Sequence, residues 1–295
     1  MEQLRSLGWT EESVFIFSIP LVFALIAIEV LIGSLKNQKY YQKEDTLGTL
    51  GMLAGNVVIA GLTQTLAFGA MVFVYQFRIF DLTNVLPTWL LIMVAFFAVD
   101  LTFYIWHRAS HRMRLLWAIH LSHHSSEQMN FVVAFRQPWL APLFKIPFFS
   151  VLPLFGFEPS VIVVVGAVST FWGVVGHTQI VPRLGFIEWI FNTPSAHRVH
   201  HGTNPDYIDK NYANMFIFID RILGTYAAEK EPVHFGLTTP VNTNNPITIT
   251  FVEWKSIWAD IKTANSWREV ARCLFGPPER SASDAENPLM QVQHS

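Results

Sequence analysis

Three long apolar segments fill most of the first 106 residues of this 295-residue chain, and they restrict the folds open to it. The segments are Ser13–Leu35, which has Glu29 near one end, Leu50–Phe77 and Val85–Trp106. A helix needs about 20 residues to cross the roughly 30 Å hydrocarbon core of a bilayer, so each segment can span it. Only 14% of all residues are charged, against about 25% in an average soluble domain. The sequence therefore predicts an all-α, multi-pass membrane bundle.

A fourth apolar region, residues 138–181, contains several prolines and predicts a helical hairpin instead of one span. The turn Phe155-Gly-Phe-Glu-Pro159 divides it into two shorter helices. The bundle then has four to five spans. The pattern Gly51-Met-Leu-Ala-Gly55 in the second segment predicts a close helix contact. We expect residues 1–275 to form a single integral-membrane domain and 276–295, rich in Pro, Ser, Glu and Gln, to be a disordered polar tail.

The placement of lysines predicts the orientation of the bundle. Lys36, Lys39 and Lys43 follow the first segment, whereas the loop after the second segment contains only Arg78. Positive loops stay in the cytoplasm. The third span and the hairpin then both end on the cytoplasmic side, so the histidine-rich regions that follow them form a cytosolic cap.

Composition excludes several classes of function. The net charge of −2 provides no electrostatic basis for binding nucleic acid. Cys273 is the only cysteine, which excludes a disulfide framework, a cysteine-based zinc site and an iron–sulfur cluster held by this chain alone. The chain also has no Gly-x-Gly-x-x-Gly dinucleotide fingerprint.

Nine of the eleven histidines occur in a pattern between residues 107 and 201. Spacings of three and four place side chains on one face of a helix, about 5–6 Å apart, which suits imidazoles that share a metal ion. Nine nitrogens exceed the four of a structural zinc site, so two metals with four or five nitrogens each are predicted. The candidate ligands are His107, His111, His120, His123, His124, His177, His197, His200 and His201.

Four further residues are candidates for supporting these ligands. Asp100 and Tyr104 share a helix face with His107, and we expect Asp100 to accept the ring N–H of a ligand histidine. The alternative is that Asp100 caps a helix or pairs with a neighbouring arginine. Asp209 and Asp220 can likewise accept the ring N–H of a histidine in the last group, or can form surface salt bridges.

The motif Asp100-x-x-x-Tyr104-x-x-His107-Arg108 and the histidine boxes that follow resemble the fatty acid hydroxylase/sterol desaturase superfamily. Within it, the closer likeness is to the alkylglycerol monooxygenase-like branch and its bacterial members. The likeness covers residues 100–226, the expected catalytic region. It is carried by His123-His-Ser-Ser-Glu127 with Asn130, Arg136-Gln137, His177-Thr178, Asn192-Thr-Pro-Ser195, His197-Arg-Val-His-His-Gly202, Ile208-Asp-Lys-Asn-Tyr212 and Asp220-Arg-Ile-Leu-Gly-Thr225.

This resemblance implies a membrane enzyme with a formally di-iron centre on the cytosolic face. It favours a location in a bacterial inner membrane over one in the endoplasmic reticulum. Imidazole also binds zinc, copper and nickel, so the ligands alone do not identify the metal. A site at the end of a membrane bundle favours iron that uses O2 to oxidise a lipid chain. The leading hypothesis is a lipid monooxygenase that uses two iron ions, O2 and an external electron donor, either an electron-transfer protein or a reduced pterin. A desaturase using the same site is the nearest alternative. More distant ones are a metal transporter, a haem anchor and a metal-stabilised binding protein.

Overall fold

The fold is described by a computed structural model that covers residues 10–278, and these residues form helices without any strand. The predicted all-α membrane bundle is thereby confirmed. The part of the expected polar tail from residue 279 onward lies outside the described residues. The helices are α1 Glu11–Leu35, α2 Lys43–Tyr75, α3 Leu82–Val85, α4 Thr88–Arg112, α5 Arg114–His124, α6 Ala141–Phe149, α7 Pro159–Gly176, α8 Pro194–His200, α9 Phe218–Ile222, α10 Pro246–Thr263 and α11 Trp267–Phe275.

Four of these helices, α1, α2, α4 and α7, are long and apolar enough to cross a membrane. The hairpin has one full arm, α7, and one short arm, in which α6 is followed by the 3-10 turn Leu152–Phe155. Helix α4 continues past its predicted end at Trp106 to Arg112, because no proline or glycine interrupts residues 88–112. The first histidines of the pattern therefore lie on the last turns of a spanning helix.

The centre of the bundle is the contact between α4 and α7. Leu91, Ala95 and Val99 of α4 pack against Val161 and Val165 of α7 in a buried apolar cluster. The most apolar stretch of α7 is 44% buried, compared with 6% in α1 and in α2. Helices α4 and α7 are therefore central, and α1 and α2 present their side chains mainly to lipid.

Two glycines of α2 allow close contacts, as their spacing predicts. A Cβ atom at Gly55 would lie 2.1 Å from the indole nitrogen of Trp139, and one at Gly51 would lie 2.7 Å from the Pro246 ring. The partners are thus a tryptophan from the loop before α6 and the first residue of α10. The predicted close contacts therefore exist, but the two glycines make them with a loop residue and with α10 instead of with another spanning helix.

A buried carboxylate joins α1 to the histidine-bearing end of the bundle. Glu29 is fully buried and accepts hydrogen bonds from the Tyr41 hydroxyl, the Phe131 amide and the Thr178 hydroxyl. Thr178 directly follows His177. The loop between α1 and α2, which carries the lysines, therefore lies at the same end of the bundle as the histidines.

The C-terminal segment 254–275 is divided between two helices. It contains the end of α10 and all of α11, separated by residues 264–266. The Ser266 side chain accepts a hydrogen bond from the Glu269 amide and so begins a new helix. Both helices contact α5 through Arg114. Its guanidinium donates to Glu253 at 2.6 Å, Ser256 at 2.8 Å and Asp260 at 2.5 Å on α10, and to the sulfur of Cys273 at 3.3 Å on α11.

We predict that Arg114→Ala releases α10 and α11 from α5, because it leaves the half-buried Glu253 carboxylate without its partner. A broken buried ion pair costs about 3 kcal/mol, which lowers the thermal midpoint by about 5–10 °C. The measurement is a thermal melt with limited proteolysis between residues 245 and 275. The control is Arg183→Ala, since Arg183 pairs with Glu188 at 3.4 Å from an exposed position and its loss should cost below about 1 kcal/mol. Equal effects of the two variants would contradict this interpretation.

Candidate metal centre

The candidate ligands come from four elements that meet at one end of the bundle. His107 and His111 lie on the last turns of α4, and the chain reverses at the extended residue Met113 so that α5 returns alongside α4. His120, His123 and His124 lie on α5, His177 follows the end of α7, and the other three ligands belong to α8 or its C-cap. Helix ends converge here, so their histidines can meet without any long loop.

The nine rings form two groups, and within each group the candidate ligand nitrogens lie within 4.8 Å of one another. The five-histidine cluster is His107, His111, His120, His124 and His200. The four-histidine cluster is His123, His177, His197 and His201. All nine sequence candidates are thus brought together. This arrangement has the same division into four and five nitrogens that the sequence predicts for two metals.

Helix geometry explains why the histidines of α5 and those at α8 each contribute to both clusters, whereas the two on α4 contribute to one. Residues four apart share a helix face, and the pairs His107/His111, His120/His124 and His197/His201 each stay in one cluster. Adjacent residues point about 100° apart, so His123 separates from His124. The clusters touch where the His124 and His201 rings stack, with centroids 4.4 Å apart.

The outward nitrogen of several rings faces a backbone carbonyl. The Nδ1 atoms of His107 and His177 each lie 2.7 Å from a carbonyl oxygen, of Tyr212 and Gly173 respectively. Nδ1 of His200 lies 2.9 Å from the carbonyl oxygen of residue 210. A carbonyl can only accept, so Nδ1 carries the proton in these rings and Nε2 is left with a free lone pair.

The inward nitrogens fit a bound cation. His107 Nε2 lies 2.9 Å from His120 Nε2, and His177 Nε2 lies 3.1 Å from His197 Nε2. The Nε2 atoms of His111, His200 and His201 are buried and have no hydrogen-bond partner among the described residues. A buried ring nitrogen without a partner is unsatisfied, and a metal ion between the rings would take up these inward nitrogens as ligands. The residues present therefore fit two metal ions.

Burial lowers the pKa of most of these rings and so favours the neutral form, which is the form that binds metal. Burial lowers the pKa of His177 to about 4, partly offset by the hydrogen bond to Gly173. Burial, then the neighbouring His111, lowers the pKa of His200 to about 3. The pKa values of His120, His123, His124, His197 and His201 are also well below normal, for the same reasons of burial and neighbouring histidines.

Asp100 does not contact a histidine ring as its spacing suggests. Its carboxylate accepts three backbone N–H groups, those of residues 214, 215 and 216, at 2.7–3.1 Å. It does not pair with Arg108 either. Asp100 lies two helical turns before His107, at the level where the chain after Tyr212 crosses α4. It therefore supports His107 indirectly, because it holds the segment that presents the Tyr212 carbonyl.

Asp220 and Tyr104 stabilise the same segment and also lack a direct contact with a ligand ring. Asp220 accepts the Tyr212 and Ala213 amides at 2.7 and 2.8 Å, and burial raises its pKa. It is therefore buried rather than part of a surface salt bridge. The Tyr104 hydroxyl lies 3.0 Å from that of Thr225, and its ring packs edge-on against Tyr212.

Asp209 is the one candidate carboxylate that lies against a ligand ring. Its oxygen is 3.5 Å from His111 Nδ1, and its other oxygen accepts from Arg112 at 2.8 Å. Burial alone would raise the pKa of Asp209, but His111 and Arg112 outweigh burial and hold the pKa at about 2. The carboxylate is therefore charged at neutral pH and orients the His111 ring.

Two supporting residues could not be predicted from the spacing of the histidines. Asn211 has a left-handed backbone, with φ of 58°, and its side chain donates to the carbonyls of Ala196 and Ala227. Arg136 is fully buried, pairs with Asp45 at 3.0 Å, and its carbonyl lies 3.3 Å from His123 Nδ1. Only the family motif pointed to these residues, since contacts made through backbone atoms have no signature in side-chain spacing. His234 is outside both clusters, and His294 lies outside the described residues.

Comparisons with known proteins agree with this geometry. The sequence model described as "Fatty acid hydroxylase" matches residues 92–225, which include all nine candidate ligands. Residues 92–225 thus form a fatty acid hydroxylase domain. It is 36% identical to human alkylglycerol monooxygenase over 242 residues, which cover 81% of this chain and 54% of the human protein.

Two other relatives are similar over shorter stretches. Alkylglycerol monooxygenase of Xenopus tropicalis is 41% identical over 176 residues, which cover 58% of this chain and 39% of the relative. The ornithine lipid hydroxylase of Rhizobium tropici is 32% identical over 130 residues, which cover 44% and 39% of the two chains. The chain thus spans about half the length, or less, of the curated relatives it matches. No solved structure gives a significant match.

We predict that single alanine variants in the two clusters remove different metal ions. His120→Ala should lower the metal content of the purified protein from about two ions per chain to about one, and so should His201→Ala. The double variant should contain almost none. Inductively coupled plasma mass spectrometry measures the stoichiometry, with the exposed His234→Ala as the control. Retention of both ions by the double variant would exclude these rings as ligands.

A second prediction separates the roles of the two carboxylates. Asp100→Ala leaves three buried N–H groups without an acceptor and should lower stability by about 3–5 kcal/mol. Asp209→Ala removes a contact with a ligand ring and should weaken metal affinity about 10–100-fold, with a smaller effect on stability. Thermal melts and metal titration measure the two quantities. The control is the exposed neighbour Asp206→Ala, and a reversed order of effects would contradict the assignment.

Proposed function

We propose that this protein is a membrane-bound di-iron monooxygenase that hydroxylates a C–H bond of a lipid. The observation that carries the proposal is the meeting of nine imidazoles in two adjoining clusters at the end of an apolar helical bundle. Lipid-modifying relatives named for monooxygenase and hydroxylase activities support it. Two irons bound there would supply O2 activation for the net reaction of a C–H bond, O2, two electrons and two protons to an alcohol and water.

The side chains of this protein contribute orientation and the exclusion of water. Backbone carbonyls hold the Nδ1 protons of His107, His177 and His200, so each Nε2 lone pair points inward. Asp100 and Asp220 hold the segment that provides one of these carbonyls. Buried aromatic rings around the cluster keep solvent away, which favours a reactive oxidant over its loss to water.

A lipid substrate and an external electron source follow from the same arrangement. The spanning helices expose apolar side chains to the bilayer, and the clusters lie at one end of this lipid-facing bundle, which supports a lipid as the substrate. The reaction needs two electrons for each turnover, and nine imidazoles cannot supply them. We propose an electron-transfer protein or a reduced pterin as the donor. The alkylglycerol and ornithine lipid in the names of the relatives are candidate substrates.

We further propose that residues 1–275 form one catalytic unit in a bacterial inner membrane, with the clusters facing the cytoplasm. Support for a single unit comes from Glu29 of α1 and Arg114 of α5, which join the first and last helices to the histidine-bearing region. Support for the orientation comes from the lysine loop, which lies at the same end of the bundle as the clusters.

The proposed reaction is tested by comparative lipidomics under ¹⁸O2. Cells that express the protein should contain a lipid that is heavier by one ¹⁸O atom, and cells that express the His120→Ala/His201→Ala variant should lack it. A product lighter by two hydrogens and without ¹⁸O would identify a desaturase instead. If the lipidome stays unchanged with either electron donor supplied, the protein does not oxidise a lipid.

A further inference from the structure

A lysine without an ionic partner lies beside the five-histidine cluster. Lys145 belongs to α6, and its ammonium nitrogen lies 4.3 Å from the centroid of the Trp106 ring and 5.6 Å from that of Phe103. Within residues 10–278, no carboxylate or carbonyl oxygen forms a hydrogen bond or ion pair with this ammonium. Its neighbours on α6, Phe144 and Phe148, pack into an apolar cluster.

The buried arginines of the protein are paired with acids, whereas the partly buried Lys145 is not paired with an acid within residues 10–278. Arg114 contacts Glu253 and Asp260, and Arg136 contacts Asp45. An unpaired cation among apolar groups is costly, and in membrane proteins such a residue commonly has a function. A cation–π contact provides only part of the compensation. Lys145 therefore lacks the anion that its surroundings require.

Hydrogen-bond donors near Lys145 are also unsatisfied. The indole N–H of Trp106 is buried and has no acceptor within the described chain, and the same is true of Trp254. Both rings pack on the apolar cluster that includes Phe144. This region thus contains an ammonium and two indole N–H groups without acceptors, which is the complement of a ligand that carries acceptor oxygens.

The region borders the metal centre. The Trp106 ring lies edge-on to His120, with centroids 5.4 Å apart, and stacks against His107 at 6.0 Å. One aromatic ring therefore separates Lys145 from the five-histidine cluster. A ligand held at Lys145 has its nearest carbons within reach of that cluster, whereas a ligand at the outer surface of the bundle does not.

We propose that Lys145 and the Trp106 indole N–H bind the anionic oxygen of a lipid substrate's head, a carboxylate or a phosphate. This inference rests on the proposed function, because it names the substrate class of the same site. The head is held beside Trp106, and the adjoining part of the chain lies against the histidine clusters. Oxidation then takes place close to the polar head and not at the far end of the chain.

The test measures lipid binding, which does not depend on turnover. A nitroxide-labelled stearic acid and its methyl ester share one chain and differ only in charge. Electron paramagnetic resonance of the metal-loaded protein gives the dissociation constant of each. We expect Lys145→Met to weaken binding of the acid about tenfold or more and to leave the ester within about twofold.

Three variants make the test specific. Lys145→Arg keeps the charge and should bind the acid within about threefold of the unaltered protein. Trp106→Phe keeps the ring but loses the N–H, and should weaken binding of the acid but not of the ester. Lys262→Met is the matched control, since Lys262 lies 5.4 Å from the Trp258 ring on α10, and it should change neither constant. Metal content and thermal midpoints verify that each variant is folded.

Competition identifies the anion. Displacement of the labelled acid by unlabelled fatty acid indicates a carboxylate head, and displacement by lysophosphatidic acid indicates a phosphate head. Neutral monoacylglycerol should not displace the labelled acid. Equal loss of acid and ester binding in Lys145→Met, or displacement by all three lipids alike, would overturn the proposal. If the acid binds as expected but no lipid is oxidised, the proposed function fails while the binding site remains.

Discussion

The rest of the structure depends on the contact between an outward ring nitrogen and a backbone carbonyl. Each such contact fixes the proton of a histidine on Nδ1 and turns the Nε2 lone pair of that ring towards its neighbours. A metal site needs its ligands deprotonated and oriented before the ion arrives. The burial that lowers the pKa values of His177 and His200 meets the first need, and the carbonyls meet the second.

Those carbonyls are useful only if their own segments stay in place, and buried carboxylates hold them. Asp100 from α4 and Asp220 from α9 accept five amides of residues 212–216 between them. Arg136, whose carbonyl faces His123, is in turn held by Asp45. The centre is thus built in layers, with rings inside, backbone around them, and charged side chains that hold the backbone.

Features that depend on local spacing could be predicted from the sequence, whereas contacts between distant segments could not. Helix periodicity identified eight of the nine candidate ligands, because i and i+4 residues share a face in any straight helix, and the end of an apolar span identified His177. Apolar length identified the spans. The same reasoning gave Asp100 the wrong partner. Spacing along a helix shows which side chains are neighbours, but it does not show that residues 214–216 cross that helix and bring three amides to the carboxylate.

By itself, the sequence determined a helical membrane bundle and the nine imidazoles, since both follow from local periodicity and composition. Only the tertiary structure decided how the rings divide, which nitrogens point inward, and that Lys145 lies against Trp106 with no anion from residues 10–278 beside it. Those features arise where separate helices and loops meet. Their geometry depends on packing between residues far apart in the chain, which no local pattern encodes.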